Sequence, residues 1–269
     1  MEHQQLIEAP AGSREFLFLG TGTSVGVPVV GCECPVCLSD DPKNKRTRCS
    51  VIVRSPAGTI LIDTTPDLRT QLLREKIRDI QAVLFTHHHA DHVFGFDDVR
   101  VLCYHLGGEM PVYCDPEVEA FIRRAFAYAF DPIVLSYPHG GVPRVEFRRI
   151  DRPRFQVLDH WVTPIPLRHG RTDVLGFRIG NLAYCTDVNQ IPEASWPLLE
   201  GLDILILDAL RHTPHPTHFS LDEALAVIEK VRPKRAFLTH LSCKLDPEKA
   251  RARMPDHVEL AYDGLTLTF

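Results

Sequence analysis

The chain has 269 residues, 44% of them apolar and 24% charged, which excludes a disordered polymer and supplies enough apolar mass for a sizeable core. Thirty Lys and Arg stand against 35 Asp and Glu, a formal charge of −5. That balance argues against a general nucleic-acid coat or a basic membrane binder and leaves room only for a local basic pocket.

No apolar run reaches membrane-span length, and the stronger ones, such as Ile204–Leu207, are strand-sized. The opening residues 1–12 lack a basic stretch followed by an apolar one, so no signal peptide is expected and the expected location is the cytoplasm. There, eight cysteines read as thiols or metal ligands before disulfides.

Short β-type runs flanked by turn residues recur in chain order. They are Glu15–Leu19, Ser50–Arg54, Thr59–Ile62, Ala82–Thr86, Val112–Cys114, Val145–Ile150 and Phe155–Leu158, then Val162–Leu167, Leu175–Ile179, Leu182–Thr186, Ile204–Leu207, Ala236–Thr239, Val258–Ala261 and Leu265–Phe269. Helical patterns lie between some of them. Pro66–Lys76 opens on proline, Glu117–Ala129 has helical apolar spacing, and Ser220–Val231 carries the Ser220/Glu223 capping-box pair. Pro247–Arg253 is a shorter candidate. Strands with interspersed helices predict a layered α/β fold with two sheets. No linker or low-complexity tract interrupts the chain, so residues 1–269 read as one domain. Two faint echoes appear: Leu84–His87 against Phe237–His240, and Ile60–Asp63 against Ala183–Asp187. Related halves and chance both account for them.

The strongest signal is His87-His88-His89-Ala90-Asp91-His92, directly after an apolar strand. In an extended segment His87 and His89 share one side. Further ligand types stand at later strand ends: His169, Asp187 and His240. Parallel-type strands ending on one edge would gather five histidines and two carboxylates, enough for two divalent metals bridged by Asp187.

On these residues the chain resembles the metallo-β-lactamase superfamily, from Phe16 to Phe269. The resemblance implies an α/β fold of the four-layer αββα sandwich type, with a metal centre at one edge of the sheets. It implies His87, His89 and His169 on one metal, Asp91, His92 and His240 on the other, and Asp187 bridging. Water between two cations becomes hydroxide near neutral pH, and the cations neutralise charge on substrate oxygens. Asp91 is also the candidate for orienting that nucleophile. Asp63, and less strongly Asp208, are expected to support the ligands from behind, while His88 is expected to have no ligand role.

Cys32, Cys34 and Cys37 pack three thiols into six residues, and Cys243 lies three residues after His240. Together they would close a tetrahedral structural zinc site. Cys49, Cys103, Cys114 and Cys185 read as small core residues. A CxCxxC segment after Gly20-Thr21-Gly22 and Gly26-Val27-Pro28 resembles the phosphoribosyl cyclic phosphate phosphodiesterase (PhnP-type) branch. In that branch the fourth ligand is a histidine; Cys243 here keeps a zinc donor. Proteins of pyrroloquinoline quinone biosynthesis carry a similar cluster. The run Gly20–Gly26 misses the GxGxxG spacing of a nucleotide loop.

The same resemblance makes His218 the general-acid candidate, and Arg100, Arg168, Arg171 and Lys244 lie near enough to ligand segments to contact phosphate. The expected function is a dinuclear zinc or manganese (or iron) phosphodiesterase acting on a small cyclic or nucleotide-like phosphodiester. Alternatives are a non-catalytic metal-binding or cofactor-biosynthesis accessory protein, and a thioester or lactam hydrolase. No basic arm of a transfer-RNA nuclease is seen. Neither a membrane nor extended nucleic acid is an expected partner, and a homodimer stays open.

Overall fold

A computed structural model describes residues 14–137, 141–151 and 153–269; the opening residues read above for a targeting signal lie outside them. Among the described residues fourteen strands follow in chain order. The first seven are β1 (Glu15–Gly20), β2 (Ser50–Ser55), β3 (Gly58–Ile62), β4 (Ala82–Leu84), β5 (Met110–Cys114), β6 (Val145–Arg149) and β7 (Phe155–Val157). Then come β8 (His160–His169), β9 (Thr172–Ile179), β10 (Leu182–Cys185), β11 (Ile204–Asp208), β12 (Arg235–Thr239), β13 (Val258–Leu260) and β14 (Thr266–Thr268).

They form two seven-stranded sheets, ordered β14-β1-β2-β3-β4-β5-β6 and β13-β12-β11-β10-β9-β8-β7. Each sheet has three antiparallel pairings followed by three parallel ones, with β3 and β10 at the same point of change. The echo between the ends of β3 and β10 therefore joins equivalent strands. The other echo joins β4 to β12, which are not equivalent, and it carries no symmetry.

Period-2 alternation divides the apolar residues among layers. In β2, Val51 and Val53 enter a central cluster while Ile52 faces outward; in β11, Ile206 enters the same cluster while Leu207 faces outward. Phe16, Phe18, Phe177, Tyr184 and Phe237 fill this space between the sheets. The outer face of the first sheet is covered by helices Leu68–Arg74, Val99–Leu106 and Pro116–Ala125, and that of the second by Leu221–Val231. The result is the expected αββα sandwich. Among the described residues no helix is long and apolar enough to cross a membrane.

Every expected strand forms, with shifted ends. β4 stops at Leu84 because the Thr86 amide donates to the Asp63 side chain instead of continuing the ladder. β8 and β9 lengthen into a hairpin that extends to His169 and Thr172. The Ser220 capping box forms on both sides. The expected helix over 117–129 ends at Ala125 and continues as a 3₁₀ turn. An additional helix, Val99–Leu106, has helical apolar spacing at Val99, Leu102, Cys103 and Leu106 and closes on Gly107 at φ +72°.

The backbone approaches itself closely beneath the histidine motif. The Gly95 amide donates to the Thr64 carbonyl, and a Cβ built on Gly95 would lie 2.1 Å from the Thr65 oxygen. Gly95→Ala must therefore push apart the loop after β3 and the short helix carrying Asp91 and His92. Thermal melting is expected to show a loss of about 1–3 kcal/mol, typical of overpacking. An unshifted melting temperature would show that this contact yields freely.

Candidate metal centre

The strands that end beside the sandwich edge carry the predicted donors out of their ladders. Asp63 follows β3, Asp187 follows β10 and His240 follows β12, each in the left-handed backbone region at φ +66°, +51° and +56°. Asp and His tolerate this region better than most residues, but it is uncommon and marks constrained positions. His87 and His89 leave β4 on an extended segment, and Asp91 and His92 occupy the short helix Ala90–Val93.

These residues converge in two adjacent groups. His87, His89 and His169 have donor atoms within 4.8 Å of one another, as do Asp91, His92, Asp187 and His240. Asp187 links the groups: its Oδ1 lies 3.2 Å from His92 Nε2, and its Oδ2 lies 3.3 Å from His240 Nε2 and 4.0 Å from His87 Nε2. Asp91 Oδ2 lies 3.4 Å from His92 Nε2 and 3.6 Å from His240 Nε2. All of these residues are buried except the half-buried His89.

Groups behind the imidazoles decide which nitrogen faces inward. His92 Nδ1 donates to Asp63 Oδ2 at 2.8 Å. Thr86 donates its hydroxyl to the same oxygen, so His87 Nδ1 donates to Thr86 Oγ1 at 3.0 Å. His169 Nδ1 donates to the Thr217 carbonyl at 2.6 Å. Each ring thus presents a bare Nε2, and the Nε2 atoms of His87, His92 and His240 are buried without a hydrogen-bond partner. Buried polar atoms are normally satisfied, so lone pairs converging on carboxylates fit a cation. The charges agree. Burial would raise the Asp187 carboxyl, but His240 and His92 hold it well below its usual range. Burial would lower His240, but Asp187, Asp91 and Asp208 raise it to about 9.

Asp63 stands where a ligand-supporting role was expected. Thr86 and the Thr217 carbonyl were not anticipated; a threonine before a histidine is too common to signal a relay. His218 is buried at the same edge, its Nδ1 donating to Asp208 Oδ2 at 2.7 Å. A donor atom of His218 falls within 4.8 Å of donors of His169 and Asp187. His88 turns instead to the Phe121 ring, 5.3 Å away, outside these groups. Of the expected phosphate contacts, Arg100 is held by Asp97 and the Gly141 carbonyl, and Arg168 by Asp173 on the exposed side of the β8–β9 hairpin. Arg171 and Lys244 are exposed.

The sulfur atoms of Cys32, Cys34, Cys37 and Cys243 also lie within 4.8 Å of one another. A tetrahedral zinc with ~2.3 Å bonds needs sulfur–sulfur edges of about 3.8 Å, so the cluster fits with small adjustment. The Cys37 backbone amide lowers the Cys34 thiol to about 7, while burial and the neighbouring Cys37 and Cys34 push Cys243 up to about 12. Four thiols this close do not ionise together without a cation among them. The other four cysteines are buried, as expected of core residues.

Comparison with known proteins agrees with this geometry. Residues 58–241 match the model of the beta-lactamase superfamily domain. The crystal structure of a diphosphatase from the PhnP family superposes with a TM-score of 0.88 at 42% identity, covering 96% of this chain and 97% of that one. An octanoyltransferase of Porphyromonas gingivalis is 39% identical over 93% of this chain, yet the chain spans only 50% of that relative's length. A ribonuclease Z of Anoxybacillus flavithermus is 24% identical, over 87% of this chain and 88% of that protein.

Two substitutions separate the two donor groups. Asp63→Ala frees the Nδ1 side of His92 and the Thr86 relay together, and metal affinity at the histidine centre is expected to fall 10- to 100-fold by titration calorimetry. Cys243→Ser removes one sulfur donor, so bound zinc by elemental analysis should drop by one per chain and the melting temperature should fall. Retention of that zinc would mean another residue closes the cysteine site.

Proposed function

The chain belongs to the beta-lactamase superfamily and, within it, to the PhnP family, and from that premise we propose a metal-dependent phosphodiesterase acting on a small cyclic or nucleotide-like phosphodiester. The observation that carries this reading is the set of unpartnered, buried Nε2 atoms of His87, His92 and His240 around Asp187. In this reading His87, His89 and His169 would hold one divalent ion and Asp91, His92 and His240 a second, with Asp187 serving both. Zinc, manganese or iron each suit such nitrogen and oxygen donors, while Cys32, Cys34, Cys37 and Cys243 suit a structural zinc. Two bound divalent ions would supply acidified water and neutralise phosphoryl charge.

The chain's own residues do the rest. Asp91 is buried beside His92 and His240, and its carboxylate would accept a hydrogen bond from an attacking water. His218 has its Nδ1 proton committed to Asp208, which fixes the ring; as an imidazolium it would carry a second proton on Nε2, pass that one to a departing alkoxide and be left neutral with Nδ1–H still on Asp208. A hydrolase is what the family relationship supports, and a full donor set argues against an accessory protein that only resembles one.

A second reading rests on the octanoyltransferase match: hydrolysis of an acyl ester or thioester at the same centre. A panel of cyclic phosphodiesters, nucleotides, bis(p-nitrophenyl) phosphate and octanoyl thioesters, run on metal-loaded protein, separates the two. Turnover of the phosphodiesters with no thioester cleavage is expected, and the reverse would overturn the proposal. His218→Ala should slow alkyl or ribosyl phosphodiesters by ~10²–10⁴-fold and nitrophenyl esters much less, with metal content unchanged. Equal losses on both kinds of ester would remove the proton-donor role, and loss of metal would make His218 a ligand.

A further inference from the structure

An aromatic surface begins where the metal centre opens. His89 is the half-buried member of the donor set, so the centre is accessible on its side. The next ring along is His88, whose centroid lies 5.6 Å from that of His89 and 5.3 Å from that of Phe121 on the helix Pro116–Ala125. Phe94 follows, at 19° to Phe121 with centroids 6.2 Å apart, and is 50% exposed. Arg124, on the same helix, places its guanidinium 5.5 Å from the Phe121 centroid. Among the described residues Arg124 forms no ion pair, whereas its neighbour Arg123 is held by Glu119.

Holding the histidine motif against this helix does not require an exposed ring. Val93 and Phe96 are fully buried on either side of Phe94, and Phe96 packs on Phe126 and Phe130 with centroids at 5.1 and 6.3 Å. A single exposed apolar residue is ordinary. Here three contiguous rings lead away from a metal donor and end beside an uncommitted cation. Nucleobases of every kind stack on such rings, and a guanidinium over the same surface strengthens the contact. His88 stands outside both donor groups, yet its ring joins His89 to Phe121.

We propose that His88, Phe94 and Phe121 form a stacking platform for the base of a nucleotide whose phosphate sits at the metal centre, with Arg124 at the outer edge. This rests on the phosphodiesterase reading and narrows it: among small cyclic and nucleotide-like phosphodiesters, the substrate is one that carries a nucleobase. Adenosine monophosphate and ribose 5-phosphate share the sugar and the phosphate and differ in the base. Titrated by calorimetry into the metal-loaded protein, the nucleotide should bind roughly 10-fold or more tightly than the sugar phosphate, the scale of one stacked base. Phe94→Leu keeps an apolar side chain without a ring. It should cut that preference at least threefold by weakening the nucleotide alone, and Phe94→Trp should restore it. Metal content by elemental analysis should match the wild type in both variants. Asp187→Ala disturbs the centre itself and should weaken both ligands. Equal affinities in the wild type, no measurable nucleotide binding, a preference that Phe94→Leu cuts less than threefold, metal loss in that variant, or nucleotide binding untouched by Asp187→Ala would each overturn the platform. Every readout is binding, so a protein that shows the expected pattern and hydrolyses no phosphodiester would overturn the phosphodiesterase reading and leave the platform in place.

Discussion

Buried carboxylates packed among imidazoles are the constraint around which the rest of the molecule is arranged. Asp63, Asp187 and Asp208 are almost wholly removed from solvent, and Asp91 is nearly so. Ionised carboxylates in such a place are tolerated only when each is paired or hydrogen-bonded. Asp63 meets this through Thr86 and His92, and Asp208 through the Val188 amide and His218. Asp187 receives one hydroxyl, from Thr186, and otherwise faces imidazole nitrogens. The carboxylates divide accordingly: Asp63 and Asp208 spend their lone pairs on the rings that surround the centre, while Asp91 and Asp187 turn theirs inward. Cations between the inward-facing groups would relieve both the carboxylates and the bare Nε2 atoms, which is why the proposed metal pair and the burial pattern belong to one argument.

The sandwich delivers those groups because β4, β8, β10 and β12 all finish at the same edge. Within the second sheet the parallel pairings of β10, β11 and β12, and the antiparallel hairpin of β8 and β9, make β8, β10 and β12 run in one direction. The Leu175 amide of β9 donates to the Thr86 carbonyl beyond β4, so the two sheets are tied directly beneath the histidine segment. Left-handed backbone at Asp63, Asp187 and His240 breaks each ladder sharply enough to turn the side chain into the shared space. The strain at those three positions is held in place by the apolar layers on either side of each sheet.

Much of this was legible in the chain itself. Strand positions follow from apolar runs whose alternate residues face the centre or the helices, and the motif from His87 to His92 names its own chemistry through spacing. What was not legible depends on contacts across the sequence. Arg168 follows a strand and precedes His169, so it reads as a phosphate contact, but the strand's alternation turns it to Asp173 and solvent. Thr86 and Thr217 act through one hydroxyl and one carbonyl, neither of which carries a residue-type signature. The helix Val99–Leu106 is masked in the sequence by its start, where Val99 and Val101 alternate as in a strand.

The cysteine cluster also bears on the centre through the backbone. Thr23 donates its amide to the Leu241 carbonyl, and Leu241 donates to Thr21, so the loop that leads toward Cys32 is paired with the residue directly after His240. Asp263 holds the other side of that loop, accepting from the amides and hydroxyls of both Thr21 and Thr47. Cys243, two residues beyond Leu241, then joins Cys32, Cys34 and Cys37. His240 is therefore clamped from three directions: by β12 before it, by the paired loop after it, and by the sulfur cluster beyond that. A residue in left-handed backbone has no ladder of its own to fix it, so a clamp of this kind is what keeps the His240 Nε2 directed at Asp187. Separate donor sets, one of sulfur and one of nitrogen and oxygen, would let the clamp and the centre select different ions without competing.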